Sequence, residues 1–379
     1  MTTDDIRPSK SSGSSQSISV ETIDAEVHFE SETFEATSIE VERSKTKDAN
    51  YAKIKGIFTH GNVPDEGDRT RVRINGNLIF TGEAVRATRN HNHVYTVEAY
   101  DHTRTMNQIK ENVSTGVFLN YNAYMARRLL YRNGVPNDIQ RATGQYRGDN
   151  GPTQHEYENR SLSYILDDIA KRLDAYWWVD EHNVVKMRPD PPVGWHYLDR
   201  IKEISLGDGQ AAGNQVVVFG GAPTSEEGQE AATMYAHNQI KSSARITYGD
   251  EEDKRIKEFK VKDQNLTTQA EVEAFMNSKI GEFAEDLKEG KVTIVGDETI
   301  TPFDTVYVPE DANLDDTIQG EYMAQVVRHK VDAQNGYVTE IELGMSHEDT
   351  RDVIDNAKPE KRNLTEEDME ALNSYGANA

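Results

Sequence analysis

The feature that most restricts the fold is residues 322–343, YMAQVVRHKVDAQNGYVTEIEL. Val326, Arg328 and Lys330 alternate with Val327, His329 and Val331; Gln334-Asn335-Gly336 offers a turn; and Tyr337, Thr339, Ile341 and Leu343 return with period two. Alternation sends successive side chains to opposite faces of a strand, and Asn-Gly accepts the positive φ of a tight turn. The spacing predicts a β-hairpin. Residues 80–101 have the same form. They ascend through Gly82, Val85 and Ala87, turn at Asn90-His91-Asn92, and return through Val94, Thr96 and Glu98. Two such hairpins far apart predict two copies of one β-module.

The remaining chain divides around these hairpins. Residues 1–18 form a Ser-rich polar leader with nothing to bury, read as flexible. Residues 19–101 hold about six short strands between Gly, Pro and Asn punctuation, which suits a small antiparallel barrel or sandwich. Residues 102–197 read as helices followed by a hairpin. Met125, Leu129 and Leu130 line one helix, which Gly134 ends. Ser161 caps another, whose apolar stripe is Leu162, Ile165, Leu166, Ile169 and Leu173. Residues 198–221 and 291–345 form a second, split barrel, entered by the strand at 214–220. Residues 222–290 are a helical insertion with a Thr268/Glu271 capping box. Residues 346–379 are an acidic tail with one short helix capped by Thr365. The fold class is α+β and β-rich: two small tube-like antiparallel β-barrels with helix-containing insertion modules.

Composition removes several functions. The 379 residues include no cysteine, so disulfides, thiol nucleophiles and Cys-based zinc sites are excluded. A net charge of −24 argues against unassisted nucleic-acid binding and against a polybasic membrane anchor. No apolar run is long enough for a membrane helix, and no signal peptide is evident. The acidity fits a salt-adapted, halophilic source or an ordinary acidic mesophile protein.

Candidate chemistry is thin. His91-Asn92-His93 reads as a polar hairpin tip without a third ligand. Residues 311–322 open like a calcium loop, but Asp316 and Tyr322 stand where Gly and Glu are needed. Residues 207–213 resemble a dinucleotide loop poorly and lead into a strand. Asp167-Asp168 and Glu366-Glu367-Asp368 read as solvated helix faces. Asn112, Asn159, Asn265 and Asn363 lie in short sequons that also arise by chance. The expectation is no enzyme, no catalytic residue, no cofactor and no metal. Tyr176, Trp177 and Trp178 are adjacent on one strand, so one Trp faces away from the local core. They are candidate interface aromatics, against the simpler reading that other modules of the chain cover both faces.

The order of features resembles the tail-hub, or baseplate-hub, proteins of tailed viruses and related contractile injection machines. The resemblance rests on Gly82 and Val85 followed by Tyr95 and a strand ending in Asp101; on the helix and hairpin of residues 161–189; and on residues 214–220. It rests further on Pro302-Phe303-Asp304-Thr305-Val306, with Phe303 where the family has Gly, and on the closing hairpin with Val326, His329, Gly336, Tyr337 and Thr339. It covers about residues 20–344. It implies a structural virion protein at the tail tip, assembled in the host cytoplasm. Three chains with two barrels each would form a pseudo-hexameric ring, closing the six-fold tube and carrying a three-fold spike or fibres. Expected partners are further copies of the chain, a tail tube or distal tail protein, a spike or fibre protein and a tape-measure protein. DNA would pass through an acidic lumen during genome ejection without specific binding. No lytic domain is expected after residue 346. The alternatives are a hexameric distal tail or receptor-binding tail protein, and a virion-associated or secreted glycan hydrolase.

Overall fold

The computed structural model describes residues 24–29, 35–45, 49–57, 64–90, 94–115, 122–139, 155–191, 193–208, 215–221, 241–245, 258–263, 265–266, 268–285, 287–310 and 319–359. The first strands are β1 (Ala25–Phe29), β2 (Glu35–Ser44), β3 (Tyr51–Ile57), β4 (Arg69–Ile74), β5 (Asn77–Arg89) and β6 (Tyr95–Tyr100). Alternation dictates their burial: Ala25, Val27 and Phe29 face inward from β1, and Val72 and Ile74 from β4. They lie side by side in the order β1-β4-β5-β6-β3-β2.

A helical module follows: α1 (His102–Gln108), β7 (Lys110–Thr115), α2 (Asn122–Arg132), β8 (Asn137–Ile139), β9 (His155–Ser161), α3 (Leu162–Leu173), β10 (Tyr176–Val179) and β11 (Val185–Arg188). The Ser161 hydroxyl accepts from the Tyr164 amide, capping α3, and the stripe from Leu162 to Leu173 fills the core of this module. Met125, Leu129 and Leu130 join it from α2, and Gly134 leaves that helix at φ +70.

The remaining elements are β12 (Trp195–Tyr197), β13 (Ile201–Asp208), β14 (Gln215–Phe219), β15 (Lys241–Arg245), β16 (Glu258–Lys262), α4 (Gln269–Glu285), β17 (Lys288–Val295), β18 (Thr305–Val308), β19 (Gly320–Asp332), β20 (Gly336–Met345), α5 (His347–Asn356) and β21 (Lys358–Pro359). The capping box at the start of α4 forms: the Thr268 amide donates to the Glu271 carboxylate, and the Glu271 amide donates to the Thr268 hydroxyl. The helix runs to Glu285, and Gly290, at the end of the expected helical insertion, lies within β17.

The strand that enters the second half of the large sheet is β13, not the segment at 214–220. The latter, as β14, sits in a separate sheet ordered β16-β14-β15-β21, and its Val216 and Val218 pack against α4 and α5. An all-apolar run signals burial on both faces but does not say in which sheet. The two expected barrels are also joined. Hydrogen bonding makes one twelve-stranded sheet, with β2 beside β19 and the second half ordered β19-β20-β17-β13, β18 and β12 lying off β19. Closure of either half into a barrel of its own is not among the strand pairings of the described residues. The hairpin tip at 91–93, the loop at 311–318, the helix expected near 365 and the leader at 1–18 lie outside the described residues, as do Gly209–Gly213 of the Gly-rich stretch.

Candidate functional site

Strand register shows that the two halves of the large sheet are repeats. In the first, Arg69 to Val72 of β4 face Glu83 to Phe80 of β5; in the second, Thr305 to Val308 of β18 face Met323 to Gly320 of β19. Both long strands have 13 residues, and both bulge one residue after an alanine: at Val85, between Ala84 and Arg86, and at Gln325, between Ala324 and Val326. The outer strands agree too. β2 bulges at Thr37 against β3, and β13 bulges at Lys202 against β17. Ile39 thus corresponds to Ile204, Val41 to Leu206, and Ala87 to Val327. A bulge re-aims a strand at one place, so four bulges matched in pairs specify the same curvature twice.

The turns before β4 and β18 complete the match. The Gly67 amide donates to the Ala84 carbonyl (2.8 Å), and the Phe303 amide donates to the Ala324 carbonyl (2.9 Å). Gly67 has φ +96 and Phe303 φ +77. Phe303 therefore holds the left-handed turn that glycine holds in the first repeat. Each repeat also runs directly into a capped helix: Asp101 caps α1 and Ser346 caps α5.

The repeats meet edge to edge along a seam in which Ser38 to Ser44 of β2 pair antiparallel with Asp332 to Val326 of β19. One face of the seam is apolar, with Ile39, Val41, Val327 and Val331 buried. The other carries cross-strand ion pairs: Arg328 with Glu42 and Glu342, and Lys330 and Lys291 with Glu340. Arg43 lies under the seam and reaches Glu181 of the helical module (3.4 Å), while the Lys45 ammonium pairs with Glu285 of α4.

The signature residues occupy this frame. A Cβ on Gly82 would run into the Tyr100 carbonyl, so the β5–β6 crossing requires glycine there. Val85 is the bulge residue, Tyr95 lies under the Arg89 guanidinium (5.6 Å), and Val326 opens the seam. Asp101 accepts from Thr103 and from the Asn50 amide (2.6 Å), yet burial pushes its carboxyl up to about 7. His329 is buried, with Nδ1 2.9 Å from the Tyr337 hydroxyl; burial pushes it down to about 3, and nearby Arg43 adds to this. Gly336 has φ +72 at the hairpin turn, and the Thr339 hydroxyl donates to the Asp297 carbonyl (3.2 Å).

Tyr176, Trp177 and Trp178 make an interface within the chain. Trp177 packs into the helical core, while Tyr176 and Trp178 hold the Phe303 ring between them at 5.7 and 5.6 Å. Phe303 of the second repeat lies against the outer face of these aromatics. Of the residues around them, the sequence singles out only Asp304, as part of the resemblance, and not Gly194, His196 or the Trp195 and Tyr197 beside them. Asp304 accepts from the Thr301 and Gly194 amides (2.6 Å each) and contacts His196 (3.2 Å). Burial pushes the Asp304 carboxyl up, but those hydrogen bonds outweigh it and hold it below the usual range; His196 is raised in turn by Asp304. Beside them Trp195, 57% exposed, and Tyr197, 53% exposed, stack on Tyr307. The alternating Trp195-His196-Tyr197 was the available signal. In the first repeat Arg71 stands at the Tyr307 position. Among the described residues no group of three or more His, Cys, Asp or Glu could hold a metal.

Comparison with known proteins adds a fold assignment. No family model matches the chain, and no curated protein does. Solved structures do. The tail protein from Neisseria meningitidis MC58 matches with a TM-score of 0.64 at 12% identity, over 87% of this chain and 99% of that one. The 43 kDa tail protein of prophage MuSo2 from Shewanella oneidensis gives 0.64 and 12%, over 86% and 99%. This chain has the phage tail-protein fold. The E. coli c3393 protein, described as a type VI secretion component with structural similarity to T4 bacteriophage tail proteins gp27 and gp5, matches at 0.52 and 8%, over 85% and 77%. The β-rich α+β class expected from the hub resemblance is found, as one large, mostly antiparallel sheet in place of two separate closed barrels.

Proposed function

We propose that this protein is a structural component of a virus tail tip: a hub in which three chains close a ring of six β repeats at the distal end of a tail tube. The observation that carries this is the double repeat, with two modules of matched register set side by side in one sheet through an antiparallel seam. A module whose two edges complement each other continues around an axis until it closes. Residues 19–101 supply one ring position, and residues 198–221 and 291–345 supply the other through β13 and β17–β20. The signature hairpins, from Gly82 to Asp101 and from Val326 to Thr339, curve the two positions alike.

The differences between repeats suit a three-fold partner on one side of a six-fold tube. The helical module, the four-stranded sheet and the Trp195–Tyr307–Tyr197 stack each occur once per chain, hence three times per ring. A tail tube or distal tail protein would contact the shared features, and a spike or fibre protein those present once. The tape-measure protein and the genome would occupy the lumen. A net charge of −24 repels phosphate, and the ladder cations at the seam are already paired with carboxylates. The role is structural and not catalytic.

Native mass spectrometry at low and high salt tests the reading. A trimer supports it, a hexamer favours a distal tail protein, and a monomer that hydrolyses glycans and loses this on one Asp or Glu substitution overturns it.

A further inference from the structure

The helix α2 has two unlike faces. Met125, Ala126, Leu129 and Leu130 turn into the core of the helical module. Tyr124, Arg127, Arg128 and Tyr131 share the other face, at the i, i+3, i+4, i+7 spacing of helical neighbours. Tyr131 is 83% exposed and Tyr124 40%. The helix contains no acidic residue, although the chain carries a net charge of −24. Arg132 is paired with Glu111, but Arg127 and Arg128 enter no ion pair among the described residues. Beside this face opens a cleft of about 210 Å³, floored by Val113, Met125 and Leu129 and rimmed by Arg128 and Arg132. Tyrosine and arginine around an apolar pocket are the composition of a protein interface, not of an ordinary solvated helix face.

We propose that residues 364–375 of the same chain, LTEEDMEALNSY, dock on this face as an acidic amphipathic helix. Charge and spacing select this occupant. The segment holds Glu366, Glu367, Asp368 and Glu370 and no cation. Read as a helix capped by Thr365, it sets Glu366, Met369, Glu370 and Asn373 on one side, at the same spacing as the α2 face. Two carboxylates then meet the Arg127 and Arg128 guanidiniums, and Met369 is the apolar side chain offered to the cleft. The reach also fits. The last described strand, β21, belongs to the sheet packed on α4, and α4 begins against α2, where the Asn122 amide donates to Glu271 (3.2 Å). Residues 360–364 extend up to about 17 Å and the docked helix adds about 18 Å, against about 25 Å for the length of α4. This goes beyond the ring reading and does not depend on it.

The chain has no cysteine, so a single engineered thiol reports without background. In the full-length chain, Tyr131→Cys should react with a neutral alkylating reagent about tenfold more slowly than the control Asp199→Cys, because the docked helix must open first. The Asp199 side chain is 70% exposed. Adding Glu366→Lys/Glu367→Lys/Glu370→Lys should bring position 131 up to the control rate. Adding Arg127→Glu/Arg128→Glu to that variant should restore the slow rate by exchanging the charges. The rates should not change on dilution, because the segment is tethered to its site. Reaction at the control rate with the acidic segment unaltered overturns the proposal. Protection that survives the charge reversal overturns it too, and assigns the cover to another partner. Protection lost on dilution overturns it by giving the face to a neighbouring copy. Native mass, which tests the ring reading, is measured on the unaltered chain, so either reading can fail alone.

Discussion

The two left-handed turns, one at Gly67 and one at Phe303, meet the same backbone demand in opposite ways. Gly67 is exposed, with open space where a Cβ would go. Phe303 is 3% exposed, its ring held by Tyr176 and Trp178 and its carbonyl contacted by the His347 ring (2.7 Å). A non-glycine residue there costs roughly 1–2 kcal/mol. Burying a phenyl ring recovers about 2–3 kcal/mol. The strain is thus offset by the attachment of the helical module to the second repeat. Where no module attaches, glycine suffices.

Substitutions at these turns sharpen the contrast, and the largest effect is expected at the ring. Phe303→Ala should cost about 3–5 kcal/mol in denaturant unfolding, since it empties the aromatic clamp and keeps the strain. Phe303→Gly should cost about 1 kcal/mol less than the alanine variant, because it releases the strain. The reverse ranking would break the comparison. Next is Asp304→Ala, which strips the Thr301 and Gly194 amides of their acceptor and should cost about 3 kcal/mol. The corresponding Asp68→Ala loses one exposed bond, to the Asp65 amide, and should cost less than about 1 kcal/mol. Gly67→Ala should cost about 1 kcal/mol, with no gain from packing.

The repeats should also differ in pH response. His329 is buried and held near 3, whereas its counterpart Arg89 is exposed. Its folded pKa lies below the unfolded value of about 6.5, so its contribution is present above that pH and is lost as pH falls toward 3. The Asp304–His196 pair behaves differently. The lowered carboxylate stabilises above about 4, and the raised imidazole stabilises below about 6.5 and loses its effect as pH rises through its folded value. Its contribution is therefore greatest between those limits. In a series of unfolding midpoints, His329→Gln should flatten the acid limb below pH 6.5. His196→Gln should remove the smaller gain between about 4 and 6.5.

Much of this frame was legible in the sequence because it is written as alternation. The hairpins, the α3 stripe and the Thr268/Glu271 box each announce a local geometry. Failures came where the signal was polar or non-local. β7 (KENVST) and β9 (HEYENRS) are strands with little apolar content. α5 (HEDTRDVIDN) buries only Thr350 and Val353. Val216–Val218 announced burial, while the half-covered edge β13, which belongs to the repeat, gave a weaker pattern. At the candidate site, Phe303 was noticed as standing in a glycine position, but its ring's partners, 125 or more residues earlier in the chain, follow only from the fold.

The central claim is that three chains present six equivalent positions. End-on electron microscopy averages of the assembled particle, taken from a sample whose mass is three times the 42.7 kDa chain, address it directly. The account expects six lobes of β density around one opening, with three sets of peripheral modules outside them. Three lobes, or a particle with no central ring, would contradict it.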